Sequence, residues 1–212
     1  MTVMEELYNL VIAGRAGDVP GKVQQALDEG MPPGQILNEG LIAAMREVGR
    51  RFEEGEAFVP EMLIAARAMS AALGVLRPHL VEGGVEPVGR FAIGTVKGDL
   101  HDIGKSLVAM MCEGEGFEIM DLGVDVPPER FVQAVEEGAQ IIGMSALLTT
   151  TRSNMRAVID AINEAGLRDK VKIMIGGAPV TAEFATEIGA DGYADDASSA
   201  ARKARELLGK AG

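Results

Sequence analysis

Only one cysteine, Cys112, occurs in the chain, so an intrachain disulfide is excluded and a zinc or iron–sulfur ligand set built on thiolates has no residues to form it. A reducing compartment, the cytoplasm, is the expectation. Basic residues are scarce as well: 20 Lys and Arg stand against 32 Asp and Glu, a net charge of -12. Both halves share the deficit, with 7 basic and 13 acidic residues up to residue 86 and 13 and 19 after it. No basic arm is left for a phosphate backbone or an anionic lipid surface, so neither nucleic acid nor a membrane is an expected partner. The opening MTVMEELYNLVIAGRAGD is acidic where a signal peptide is basic, and no stretch reads as the roughly 18 apolar residues that span a bilayer.

What is present is an ordinary globular composition, 47% hydrophobic and 25% charged, in 212 residues that suffice for one large domain or two small ones. Residues 3 to 80 read as helix throughout, with apolar residues recurring at helical spacing, such as Leu7, Leu10 and Val11, then Val23, Ala26 and Leu27. Gly30, Pro32 and Pro33 separate the second helix from the third, and Gly55 punctuates before a fourth that follows Pro60. The expectation is a four-helix bundle over residues 1–86. VEGGVEPVG, residues 81 to 89, has the composition of a linker.

Beyond it, short apolar runs alternate with amphipathic segments. The runs lie at residues 90 to 96, 117 to 124, 140 to 147, 171 to 178 and 191 to 195. Strands alternating with helices predict an α/β domain over 87–212, a flavodoxin-like (Rossmann-type) five-stranded parallel sheet of order 2-1-3-4-5. Ligands of such sheets bind at the carboxyl ends of the strands where the winding reverses. There GDLHDIG follows the first strand, Ser145 to Thr149 close the third, and Gly176 with Gly177 close the fourth.

Asp99, His101 and Gly104 form D-x-H-x-x-G. An imidazole two residues from a carboxylate can present one nitrogen to a metal while the other is held by the acceptor. One protein histidine suffices where a macrocycle supplies the remaining ligands. A relay from metal to His101, Asp99 and Ser145 is expected, with Ser145 entering from the neighbouring strand end. A solvated loop histidine beside helix-capping acids is the alternative. Thr150 and Thr151 read as caps of a helix beginning near Arg152. His79 and Cys112 read as packing residues, and the twelve methionines as adaptable core and surface fillers.

GDLHDIGKSLV, SALLTTT and IGGAPV together resemble the corrinoid proteins of methyltransferase systems, and the chain is similar to the cobalamin-binding region of methionine synthase over nearly its whole length. The resemblance implies a cobalamin or related cobamide whose own base is displaced, with His101 as the lower axial cobalt ligand and Asp99, Asp102, Ile103 and Gly104 around it. Gly104, Gly176 and Gly177 would leave room for the nucleotide tail; Ser145, Leu147 and Thr149 would contact its base, although Thr149 reads equally well as an ordinary strand-end polar residue. The bundle would act as a methyl-shielding lid through EAFVPEMLIAARAM, where Phe58 and Met62 are the candidate contacts unless they are simply bundle core.

The implied function is a methyl carrier, not catalytic alone, that takes a methyl group on cobalt from a methyl-donor methyltransferase and gives it to a methyl-acceptor methyltransferase. A corrinoid reductive activator is a further possible partner. A cobalamin-binding sensor and the small subunit of an adenosylcobalamin-dependent mutase are the rival readings.

Overall fold

The structure, a computed structural model, describes residues 2–210. The chain divides into two compact units, one ending at Pro87 and taking in Glu113–Gly116, the other made of Val88–Cys112 and the chain from Phe117 onward. The expected division falls between residues 86 and 87; the short segment 113–116 is marked by no composition break.

The first unit is helical. Helix α1 (Val3–Ile12) begins where Thr2 and Glu5 exchange hydrogen bonds, Thr2 N–H to Glu5 Oε2 at 2.7 Å and Glu5 N–H to Thr2 Oγ1 at 3.2 Å. Helix α2 (Val19–Asp28) starts with Pro20 in its first turn, and α3 (Pro33–Gln35) runs through a π-helical stretch, Ile36–Ile42, into α4 (Ala43–Glu53). Helix α5 (Val59–Glu82) completes the set.

Helix α5 corrects one expectation. With 24 residues and a mean hydropathy of 1.5 over an 18-residue window, it is long and apolar enough by length and composition to cross a membrane. Its buried residues Met62, Ala65, Met69, Ala72, Leu73 and Leu76 recur three and four apart, the stripe of a helix packed on neighbours within a bundle. Arg67 and Arg77 interrupt the run, so the sequence does not read there as an unbroken apolar stretch.

The second unit is a five-stranded parallel sheet with helices, in the order β2-β1-β3-β4-β5, as the sequence predicts. The strands are β1 (Arg90–Val96), β2 (Glu118–Val126), β3 (Ile141–Ser145), β4 (Lys172–Gly176) and β5 (Gly192–Tyr193). Between and after them lie α6 (Ile103–Gly114), α7 (Pro128–Glu136), α8 (Thr149–Arg152), α9 (Asn154–Glu164), α10 (Ala182–Ile188) and α11 (Ala197–Leu207).

Central parallel strands are covered on both faces, which is why β1 is buried at every residue after Arg90 and β3 reads as an unbroken apolar run. Ala92, Val96, Ile142, Met144 and Ile173 pack with Phe131 of α7 and with Met155, Val158, Ile159 and Ile162 of α9. Burying such side chains stabilises by about 1.5–3 kcal/mol each. Strand β3 stops two residues short of the expected 147, because the backbone there turns away from the sheet to a different partner.

Candidate functional site

Strand β1 lies between β2 and β3, so its carboxyl end opens at the reversal of strand order. The chain leaves it through residues 97–102. Gly98 is left-handed (φ +83°), and Asp99 N–H donates back to the Val96 carbonyl at 3.1 Å. This folds Asp99 inward until its side chain is fully buried, while His101 remains about half exposed (51%).

A buried carboxylate is costly unless its lone pairs are occupied. Here Asp99 accepts five hydrogen bonds. Oδ1 takes His101 N–H at 3.1 Å and His101 Nδ1 at 2.7 Å. Oδ2 takes Leu147 N–H at 2.8 Å, Leu148 N–H at 3.3 Å and the Thr151 hydroxyl at 2.6 Å. Burial alone would push the Asp99 carboxyl up; the Thr151 hydroxyl, the Leu147 amide and the His101 ring and amide outweigh it and hold the group well below the usual carboxylate range.

An ionised carboxylate only accepts, so Nδ1 of His101 is the nitrogen that carries the proton, and in the neutral ring the lone pair is on Nε2. The His101 carbonyl is fixed in turn by the buried Thr95 hydroxyl at 2.8 Å. An imidazole whose tautomer and orientation are set by a second residue is the arrangement of a metal ligand. Among the described residues no group of three or more His, Cys, Asp or Glu side chains could hold a metal ion by itself. A metal taken here brings the rest of its donors with it.

The expected link from Asp99 to Ser145 is not formed. Ser145 closes β3, paired in register with Thr95 and Gly176, and its hydroxyl is not among the donors to Asp99. The hydroxyl on the carboxylate belongs to Thr151. Helix α8 starts at Thr149, earlier than expected, which turns Thr151 inward while Thr149 and Thr150 stay exposed. The sequence did hold a signal. Thr151, Met155, Val158, Ile159 and Ile162 recur at helical spacing, so Thr151 continues the buried stripe of α9.

The remaining expected residues divide by place. Asp102 is exposed in the loop, and Ile103 and Gly104 open α6, where a Cβ on Gly104 would meet nothing within 4 Å. Gly176 ends β4, and a Cβ there would come within 3.3 Å of the Ala194 carbonyl. Gly177 (φ +123°) is tighter, since its Cβ would sit 1.9 Å from the Ala146 carbonyl oxygen. The chain's own packing thus already demands that glycine. Phe58 and Met62 belong to the helical unit, the first exposed at the start of α5 and the second buried.

Beside the exposed Lys97, Asp102 and Asp125, the end of the sheet at His101 also carries large exposed apolar side chains. Leu100, Ile103, Val124, Leu147 and Leu148 are all exposed, and all lie at the carboxyl ends of the three adjacent strands β2, β1 and β3. Large exposed apolar side chains gathered beside polar groups mark a ligand surface.

Two family models, both described as a B12 binding domain, match residues 3–77 and 89–202. The chain belongs to the B12-binding family. Its match over 89–202 contains the whole Asp99, His101 and Thr151 constellation. Similar B12-binding relatives include the dimethylamine corrinoid protein of Methanosarcina barkeri, 44% identical across 97% of both chains. A solved cobalamin-binding protein from Desulfitobacterium hafniense DCB-2 is 29% identical, with a TM-score of 0.79 over 96% of this chain and 98% of that one. The methanol:cobalamin methyltransferase complex MtaBC of M. barkeri is 27% identical, with a TM-score of 0.86 over 98% and 80%.

The residues present fit a B12-type group. A corrin ring brings four nitrogen donors of its own, so a chain that would hold it needs no ligand cluster, and a single imidazole oriented by a carboxylate, as His101 is by Asp99, would suffice. The exposed leucines and Ile103 would offer it apolar contact, and Gly104 leaves the start of α6 open.

Proposed function

We propose that this chain is a corrinoid-binding methyl carrier working in the cytoplasm between two methyltransferase partners, one that loads the methyl group and one that removes it. The observation that carries this reading is the half-exposed His101 ring, with Nδ1 locked 2.7 Å from the buried Asp99 and, among the described residues, no cluster of three or more ligating side chains to hold a bare metal ion. When bound, the corrinoid supplies a cobalt centre that accepts and releases the methyl group. His101 Nε2 would hold its lower axial position in place of the cofactor's own base. Asp99 keeps the imidazole in the ligating tautomer, and Thr151, Leu147 and Leu148 keep Asp99 ionised and still. Ser145, Leu147, Thr149, Gly176 and Gly177 would line the slot for the displaced nucleotide tail, with Asp102, Ile103 and Gly104 on its other side. The helical unit would serve as the cap over the methyl group, with Phe58 and Met62 as its contacts. Relatives named as corrinoid proteins and a solved methyltransferase complex support partners of this class, to which we add a reductive activator.

Visible spectra and cobalt content of the purified protein, supplied with a corrinoid and compared with His101→Ala, test the reading. The native chain is expected to retain about one cobalt in a base-displaced, histidine-ligated form, and the variant to lose that ligation. A native chain that stays colourless under the same supply overturns it.

A further inference from the structure

Strand β2 does not stay in register with β1. Ile93 pairs with Asp121, Gly94 with Gly123 and Val96 with Val126, so β2 spends five steps on what β1 covers in three. Bulges in parallel pairs are rare, and where bulges occur beside sites they re-aim a residue. The first irregularity is held by Asp121, whose Oδ1 accepts from Gly123 N–H at 2.9 Å and from the buried Lys105 ammonium at 2.5 Å. The second delivers Asp125.

Asp125 is the one non-glycine residue with a left-handed backbone among the described residues (φ +53°). That conformation is unfavourable for a residue with a Cβ, Asp and Asn tolerating it best, and it persists where the surroundings enforce it. Here it turns two groups of one residue onto one loop. Asp125 Oδ1 accepts from Gly98 N–H at 2.7 Å, and Asp125 N–H donates to the Asp99 carbonyl at 2.9 Å. The backbone is therefore gripped on both sides of the Gly98–Asp99 peptide. On the preceding residue, Asn154 Nδ2 donates to the Lys97 carbonyl at 2.6 Å.

We infer that Asp125 is a positioning residue for His101, clamping the loop so that Asp99 and the imidazole stand ready to ligate a metal before any cofactor arrives. The inference rests on the function proposed above. Its test has two arms. In corrinoid-free protein, amide hydrogen exchange is read at Leu147 and Leu148, whose N–H groups depend on the Asp99 carboxylate staying in place but do not touch Asp125. In corrinoid-loaded protein, the visible spectrum gives the ratio of histidine-ligated to unligated cofactor, with His101→Ala as the unligated reference.

Asp125→Ala, which loses both the acceptor and the tolerance for a left-handed backbone, is expected to speed exchange at these two amides roughly tenfold and to lower the ligated ratio similarly, the size of one lost charged hydrogen bond. Asp125→Gly keeps the backbone and is expected to fall between, and Asp125→Asn to stay near wild type. If the alanine variant does not fold, the glycine variant decides. Wild-type exchange and ligation in Asp125→Gly and Asp125→Ala overturn the inference, as does acceleration shared equally by Ile173 and Ile175 in β4, which marks general destabilisation. A wild-type chain that takes up no corrinoid defeats the proposed function instead, and the exchange arm then decides Asp125 alone.

Discussion

A carboxylate with no exposed surface and five donors is the group on which the site turns, and Thr151 gives it its shortest contact at 2.6 Å. Removing that hydroxyl without changing the volume much, as in Thr151→Val, leaves a buried charge one donor short, which costs about 2 kcal/mol. The pH dependence has a definite sign. Because the folded pKa of Asp99 is lowered, the stability it contributes is full above the unfolded value of about 3.9 and is lost as pH falls through the lower folded value. The variant raises the folded value, so it should be less stable than wild type at neutral pH, and the two should converge as both are titrated into strong acid. Urea midpoints between pH 7 and pH 2 measure this, with Thr151→Ser expected to stay close to wild type. Equal midpoints at pH 7 would show that the hydroxyl does not support Asp99.

The same residues show how far the site could be read in advance. The imidazole and carboxylate pair is local, two positions apart, and was legible as spacing. The donors to Oδ2 come from 48, 49 and 52 residues further along the chain, and only the register of β3 against β1 and the start of α8 bring them in. Ser145 ends the strand beside β1, which makes it the nearest hydroxyl by topology, yet the hydroxyl that reaches Asp99 is that of Thr151, six residues further on in α8.

At the scale of elements, the parallel sheet followed from short apolar runs alternating with helices, since a central parallel strand must be apolar on both faces, whereas the strand order came only with the flavodoxin-like fold class. The bulges of β2 left no such trace, because Lys105 of α6 holds Asp121 at the first and the loop after β1 holds Asp125 at the second, contacts between residues far apart in the chain. The glycines of the expected tail slot separate into two kinds, and this yields a paired prediction. Gly177→Ala drives a Cβ to 1.9 Å from the Ala146 carbonyl at a left-handed position, so β4 must move off β3, and a loss of about 3 kcal/mol is expected. Gly104→Ala meets open space in the first turn of α6, so stability should hold or rise by about 0.5–1 kcal/mol. If the nucleotide tail passes there, the second variant should nonetheless bind corrinoid at least tenfold more weakly. Thermal midpoints beside corrinoid titrations separate the two effects, and unchanged affinity in Gly104→Ala would remove that glycine from the cofactor's path.

The whole molecule's charge and its ligating side chains together decide what kind of metal this chain is able to hold. Net charge of -12 attracts free cations everywhere on its surface, yet the described residues contain no cluster of three ligating side chains, and a single imidazole is a poor site for a bare ion. The same imidazole is sufficient for a cobalt that arrives within a macrocycle. Ligands that bind the folded chain stabilise it by mass action, by about 2.7 kcal/mol at a hundredfold excess over Kd. That corresponds to a rise of roughly 5–10 °C in the thermal midpoint of a chain this size. Cobalamin is therefore expected to raise the midpoint by that amount, cobalt chloride at equal concentration to leave it within about 1 °C, and His101→Ala, whose unliganded midpoint falls because Asp99 loses a donor, to lose most of the cobalamin shift measured from that lower starting point. Scanning calorimetry on the full chain reads all three. A shift with cobalt chloride as large as with cobalamin would mean that the chain supplies more ligands than His101, and would overturn the macrocycle reading of the site.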